Sequence, residues 1–411
     1  MVHFFKKMSD DTKALPLGVK LIAFVLFLRT FGWGFVDPFF SIFVNGFSAS
    51  YAGVGGLISI MNFASLIAML PLMRLADKMK DTVIMRDAEL LYVFAIMLYL
   101  LSAFTGKLPF LVAAFIFNGI ALPLIIVGAE TYIRKYTNPD SQTKSFAFYT
   151  ATNYLGWILG MVIAAFTVQY YGLKWMFLFV LPSALVGLLI LGRIRERGLR
   201  SMLWGIRKYF HNGHDLGAIL ADIKKLNSRT FFFLILSFFD GVIVMFSYIF
   251  IPLFALTIDL NLGEVALLMA IMNLPFVFSF VISEMTDRMK SMNVIAVGLL
   301  VGGISFILLS ILVAQLWVAV LVTMTSVSLA IMRPAYNGML TRLTPRRMLG
   351  EITSINNIAL RMGYVVGPVL TGLIADRYSI QAAFFAIAIF AFALTALTLS
   401  FKGFEALQTE I

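Results

Sequence analysis

The sequence predicts an all-α membrane protein whose twelve transmembrane helices form two pseudo-symmetric six-helix bundles. Three observations predict it: long apolar runs, basic residues confined to alternate loops, and a repeat joining the two halves. The 411-residue chain is 61% hydrophobic and 13% charged, about half the charged share of a soluble domain. Its apolar residues come in runs of about 18 or more rather than in amphipathic stripes, which is the mark of membrane spans.

The runs place helices at 17–45, 51–75, 83–105, 108–134, 144–170, 174–195, 229–257, 264–286, 291–313, 316–342, 352–376 and 379–401. Each is long enough for about 30 Å of hydrocarbon at about 1.5 Å per residue. The first run starts near Leu17. It is too long for a signal-peptide core and lacks a small-residue cleavage site, so it reads as a retained helix. The predicted organisation is a polar, basic N-terminal tail at 1–16, a first bundle at 17–195, a linker at 196–228, a second bundle at 229–402 and a tail at 403–411.

The loops alternate in basic content. One set carries Lys6, Lys7 and Lys13, then Lys78, Lys80 and Arg86, Lys135 and Lys144, the stretch Arg193 to Arg229, Arg288 and Lys290, and Arg342, Arg346 and Arg347. The opposite set holds little beyond Lys107, Lys174 and Arg377. By the positive-inside rule both termini are cytoplasmic in a multi-pass protein of the cell membrane, as an even number of spans requires. The net charge of +11 is therefore topological, and no nucleic-acid partner is expected. In the linker, Trp204, Tyr209 and Phe210 interleave with the charges. That pattern fits short helices lying on the anionic inner leaflet, or equally a solvated tether.

Other chemistries find no footing. There are no cysteines, so no disulfide or thiol chemistry. No phosphate-binding glycine loop indicates ATP drive, and no nucleophile elbow is present. His3, His211 and His214 lie outside the spans, with no metal-ligand partner. The expectation is a non-enzyme with no cofactor and no metal.

An internal repeat flanks the linker. Leu75-Ala76-Asp77-Lys78-Met79-Lys80 matches Met285-Thr286-Asp287-Arg288-Met289-Lys290, Ile60-Met61-Asn62 matches Ile271-Met272-Asn273, and Gly156-x-x-x-Gly160 matches Gly363-x-x-x-Gly367, at offsets of 207 to 211 residues. Six helices, a linker and six helices in the same phase make a parallel repeat, a construction of many transporters.

At these residues the chain resembles the major facilitator superfamily, and the likeness runs over nearly its whole length. That family's second-to-third helix loop carries a G-x-x-x-D-(R/K)-x-G-(R/K)-(R/K) motif. Here Asp77 and Lys78 hold the core positions, Met73 and Lys80 replace the glycines, and Asp81 and Thr82 replace the trailing basic pair; the second copy keeps Asp287 and Arg288. Such an Asp can face the positive end of a helix, and its neighbouring cation can meet an acid on the fourth helix, where Glu130 and Arg134 stand one turn apart. The implied role is gating, with ordinary loop charges as the alternative; in either case Glu130 reads as a structural ion-pair member before a substrate ligand. The family's antiporters carry G-x-x-x-G-P on the fifth helix. Here Gly156 and Gly160 are followed by Met161, while Gly363, Gly367, Pro368 and Gly372 give the fuller version on the eleventh. Small residues at that spacing let helices pack closely. Phe115 stands where antiporters carry an arginine. The opening Arg29-Thr-Phe-Gly-Trp-Gly34 is similar to uncharacterised prokaryotic members.

The resemblance implies that helices one, four, seven and ten line a central cavity, where charged residues mark pathways. Arg29 and Asp37 on helix one, Asp240 on helix seven and the shallower Arg333 on helix ten are the substrate or proton-coupling candidates, with Asn118 as a polar one. Arg29 and Asp37 are about 80° apart around a helix and about 12 Å along it, too far to pair. The expectation is that Arg29 pairs with Asp240 in one state and releases it in another, and that Asp240 or Asp37 carries the proton. A permanent ion pair and a solvated Asp37 beside Pro38 stay open. Asn118, Asn153, Asn62 and Asn273 either bind substrate or bond neighbouring helices. Of the aromatic residues crowding helices one and seven, most must be packing, and the remainder suits an amphipathic substrate. Pro123, Pro275 and Pro334 permit kinks.

Together these imply a secondary transporter working by alternating access, proton-coupled and exporting amphipathic compounds. The alternatives are uptake of sugars or organic acids, or lipid flipping on the same scaffold. The expected partners are a small-molecule substrate, protons and the lipid bilayer, with the protein acting as a monomer.

Overall fold

A computed structural model describes residues 15–75, 80–137, 139–194, 228–278, 291–344 and 349–408. Among them run thirteen α-helices: α1 (Leu17–Gly34), α2 (Asp37–Asn45), α3 (Tyr51–Leu75), α4 (Asp81–Thr105), α5 (Leu108–Tyr136), α6 (Pro139–Tyr171), α7 (Met176–Arg193), α8 (Ser228–Thr257), α9 (Leu262–Val277), α10 (Ser291–Ile311), α11 (Gln315–Leu343), α12 (Leu349–Arg377) and α13 (Ile380–Gln408). Eleven helical segments are long and apolar enough to cross a membrane, and α9 is a shorter apolar helix of 16 residues. This is the all-α membrane architecture expected, with twelve apolar helices in the predicted order. The predicted linker, apart from Ser228, and the tail at 1–14 lie outside the described residues.

One predicted helix is divided. The run at 17–45 forms α1 and α2, broken at Phe35 and Val36. Pro38 has no N–H to give the Gly34 carbonyl, and it disfavours helical backbone at the residue before it. The last turn of α1 tightens instead: Phe35 N–H bonds the Gly32 carbonyl at 3.1 Å and Val36 N–H the Trp33 carbonyl at 2.9 Å.

The chain forms two compact units: Met1–Asp37 with Ile60–His214, and Pro38–Ser59 with Asp215–Ile411. The divide thus falls at the helix break and again within α3. Residues 38–59, which the sequence assigns to the first bundle, group with the C-terminal helices.

In the first unit, Val19, Ile22 and Leu26 of α1 pack with Ile84 and Met85 of α4 and Leu124 and Ile125 of α5 in a closed apolar core. In the second, the rings of Phe246, Phe306 and Phe384 meet edge-on or stacked from α8, α10 and α13. Phe35, Phe39, Phe40, Phe239, Phe246 and Phe250 are all buried, so most of the aromatic residues crowding helices one and seven are packing.

The small-residue motifs set the closest crossings. A methyl group at Gly160 would fall 2.2 Å from the Phe31 carbonyl oxygen and 2.9 Å from Gly34 Cα; one at Gly363 would fall 2.1 Å from the Phe238 carbonyl oxygen and 3.0 Å from Gly241 Cα. So α1 crosses α6 as α8 crosses α12. The sequence match had aligned Gly156 with Gly363; the contacts align Gly160 with Gly363, one helical turn along. Gly156 lies against the Phe27 carbonyl and Gly367 against Val242, beside Pro368 inside α12.

Gly160→Ala and Gly363→Ala are each expected to destabilise the protein by about 1–3 kcal/mol through overpacking against backbone. Gly56→Ala enters open space and is expected to be neutral or stabilising by up to about 1 kcal/mol. Melting midpoints of the purified variants check both.

Candidate functional site

Each unit buries one arginine with one carboxylate and one tyrosine. In the first unit, Arg29 of α1 donates from Nη1 to Glu89 Oε2 of α4 at 2.8 Å, both groups nearly fully buried. The Arg29 guanidinium also lies 3.7 Å over the Tyr92 ring, a cation–π contact. Glu89 and Tyr92 are three residues apart and so share a helix face. Glu89 Oε1 and the Tyr92 hydroxyl have no hydrogen-bond partner among the described residues.

In the second unit the polarity is reversed. Asp240 of α8 is fully buried and accepts Arg333 Nε at 2.8 Å, Arg333 Nη2 at 2.7 Å and the Tyr336 hydroxyl at 2.7 Å. Arg333 and Tyr336 again stand three apart, on α11. A polar chain continues beside them: the Ser237 hydroxyl donates to Asn356 Oδ1, and Asn356 Nδ2 donates to Asn337 Oδ1 at 3.1 Å. The two-pronged Arg333 fork with a third donor makes Asp240 a well-compensated anion.

In this structure Arg29 and Asp240, expected to pair with each other in one transport state, each hold a different partner. Each charge finds its opposite inside its own unit, because a buried charge without a near partner is the costlier arrangement. Arg333, read from sequence as a separate shallower cation, is the Asp240 partner. Glu89 escaped the sequence reading because it follows Arg86 and Asp87 near the start of a span, where it looks like a solvated end charge; only its burial reveals it. Tyr92 and Tyr336 carried no signal beyond their spacing from a charged residue.

Asp37 differs from both acids. It opens α2, where the positive helix end favours a carboxylate. Its Oδ1 accepts the Trp33 indole N–H at 3.2 Å, and Oδ2 is buried without a hydrogen-bond partner among the described residues. Among the described residues no Lys, Arg or His pairs with it. It is a carboxyl held by the Trp33 indole N–H, with its second oxygen buried, at the break of helix one.

Asn118 turns out to bond its neighbours: Nδ2 reaches the Tyr99 hydroxyl at 3.4 Å and Met61 Sδ at 3.5 Å. Asn273 donates to the Met269 carbonyl at 2.9 Å and accepts the Tyr248 hydroxyl. The candidates Asp77, Lys78, Asp287 and Arg288 lie outside the described residues. Glu130 and Arg134 stand 3.9 Å apart, both part-exposed, a spacing worth little by itself. Nearby, Lys135 reaches the buried Asp81 at 3.0 Å, so the acid that replaces the first of the motif's trailing basic pair is joined to α5.

A family profile described as Major Facilitator Superfamily matches residues 22–359 and 233–405. An uncharacterized MFS-type transporter of Methanocaldococcus jannaschii is 20% identical over 361 residues, 86% of this chain and 91% of that protein. Solved structures with the same fold include a mutant of the nucleoside transporter NupG (TM-score 0.76, 11% identity, 93% of this chain and 99% of that one). A peptide transporter POT in complex with sulfate aligns at TM-score 0.76 and 13% identity, over 94% of each chain. A bacterial homolog of the human lysosomal transporter Spinster aligns at TM-score 0.71 and 14% identity, over 92% of this chain and 95% of that one.

Removing one member of a buried pair, by Glu89→Leu or Asp240→Leu, is expected to cost about 3–5 kcal/mol, whereas Arg29→Met together with Glu89→Leu returns stability to near the parent. A double-mutant cycle on thermal melting reads the difference.

Proposed function

The chain belongs to the Major Facilitator Superfamily and is a transporter of some solute; from that premise we propose that it works by alternating access, coupled to protons through Asp37, and exports amphipathic compounds. One observation carries the reading. Asp37 is a shielded carboxyl with one indole donor and, among the described residues, no cation, at the point where helix one breaks. Ionised, such a group is expensive to keep out of water. A bound proton removes the charge without demanding a counter-ion. Asp240, the other candidate, already has three strong donors, and this favours a fixed ion pair.

The position of Asp37 supports a link between proton binding and movement. It ends the first stretch of one compact unit, and Pro38 begins the first stretch of the other. A change of charge there acts on the first turn of α2, at whose positive end Asp37 stands. Protonation weakens that attraction and the acceptor strength toward Trp33; deprotonation restores both. The two ionic states thus favour different geometries at the break, the differential interaction that a ligand-driven change requires. For the solute, part-buried aromatic side chains on helices one and seven, among them Phe31, Trp33, Phe238 and Tyr248, favour an amphipathic compound.

Reconstituted in proteoliposomes under an imposed pH gradient, the parent protein is expected to accumulate an amphipathic compound from a panel that also holds sugars, nucleosides and organic acids. Asp37→Asn is expected to abolish gradient-driven accumulation while leaving downhill exchange of the same compound. Accumulation undiminished in Asp37→Asn rejects Asp37 as the proton carrier. Accumulation of only sugars or organic acids rejects export of amphipathic compounds.

A further inference from the structure

The indole of Trp33 stands between two tyrosines of another helix. Tyr92 and Tyr99 lie on α4, seven residues apart, which is about 10.5 Å along nearly one face. The Trp33 ring lies 6.3 Å from the Tyr92 ring and 6.2 Å from the Tyr99 ring, tilted 54° and 53° to them. The indole is therefore midway, walled on both sides. From there its N–H reaches Asp37 Oδ1 at 3.2 Å.

Both walls are themselves fixed, and both are fully buried. The Arg29 guanidinium covers Tyr92 at 3.7 Å and is in turn held by Glu89 at 2.8 Å. Tyr99 stacks on Phe177 of α7 at 4.8 Å and meets Phe115 of α5 edge-on at 5.9 Å, while Asn118 Nδ2 reaches its hydroxyl at 3.4 Å. All of these residues belong to the first unit. A donor whose side chain is already ordered loses less entropy when it bonds, so a walled indole is a better partner for a carboxylate than a free one. The ionisable groups on the helices around Asp37 are few. On α1 the nearest is Arg29, eight residues back and bound to Glu89. α2 has none besides Asp37, α5 none before Glu130 and α7 none before Arg193. From residue 145 onward α6 brings only Tyr149, Tyr154, Tyr170 and Tyr171, and beyond Glu89 α4 brings only Tyr92 and Tyr99.

We propose that Tyr92 and Tyr99 are positioning residues for Asp37: by clamping the Trp33 indole they keep its N–H on the carboxylate, and so set how tightly Asp37 holds a proton. An N–H given to a carboxylate favours the ionised form. A loosened indole gives that bond only part of the time, and the proton is then held more tightly. The inference rests on the reading of Asp37 as a proton-binding group and adds what tunes it.

Infrared difference spectra of the purified full-length protein, taken across pH without solute or gradient, follow the protonated carboxyl band. The part of that band lost in Asp37→Asn reports Asp37. Trp33→Phe is expected to raise its titration midpoint by about one pH unit, the scale of one hydrogen bond to a charged group. Tyr92→Met and Tyr99→Met fill the space with a flexible chain in place of a flat ring, and each is expected to raise the midpoint by about half a unit, part of that same bond. Tyr92→Phe keeps the wall and is expected to leave the midpoint where it is. In the Trp33→Phe background neither methionine substitution is expected to add a further shift, the non-additivity of residues acting through one bond. Should one methionine variant fail to fold, the other carries the test. Midpoints unmoved by the methionine substitutions overturn the proposal. So does an equal rise in the Trp33→Phe background, which would mean general loosening of the bundle rather than aim of the indole. A band indifferent to Asp37→Asn at every pH overturns it as well. Gradient-driven accumulation in proteoliposomes is a separate readout, so a failed clamp and a failed role for Asp37 in transport are told apart.

Discussion

The hydrocarbon interior of a bilayer offers no hydrogen-bond partner, and the polar groups of this protein's spans are arranged around that fact. The backbone answers with long helices. The side chains answer with pairing: Arg29 with Glu89, Arg333 with Asp240 and Tyr336, Asn118 with Tyr99. The two arginine–carboxylate groups mirror each other with reversed sign. In one unit the cation sits on the opening helix, and in the other the anion does. Neutrality within each unit lets helices slide or tilt as bodies without dragging an uncompensated charge through an apolar interior.

The departures from full pairing are informative. Asp37 keeps an oxygen without a donor, and so does Glu89. The first lies at the interruption of helix one, where Pro38 prevents the backbone from closing its ladder. A carboxyl at such a break is expensive unless proton binding or movement uses it. The Glu89 oxygen lies deep inside a bundle beside an arginine, an environment that argues for a rigid structural pair. Burial alone does not separate these roles; the presence or absence of a cation does.

The same logic extends to the ends of helices. Four N–H groups at each helix start need acceptors, and the first turn of α3 finds acceptors for two of them at the far end of α12. Glycines at 55 and 372 make that approach geometrically possible. Helix packing by small residues recurs at Gly160 against Gly34 and Gly363 against Gly241, where interlocking backbones hold each unit together. These glycine-lined crossings and the capped first turn of α3 are uses of one device: close backbone approach where side chains would only separate the helices.

Much of the architecture was legible in the linear pattern. The membrane spans follow from apolar runs whose length is dictated by bilayer thickness, and the two-fold construction follows from motifs recurring about 210 residues apart. Both are local or periodic properties, written into consecutive residues. The partners of Arg29 and Asp240, the burial of Glu89, the register of the glycine repeat and the reach of Asp376 to Tyr51 were not legible. Each depends on which faces of distant helices meet, and helix rotation shifts that by about 100° for every residue. Composition dictates that the buried charges must be matched; only packing decides which acid matches which arginine, and which acid is left with none.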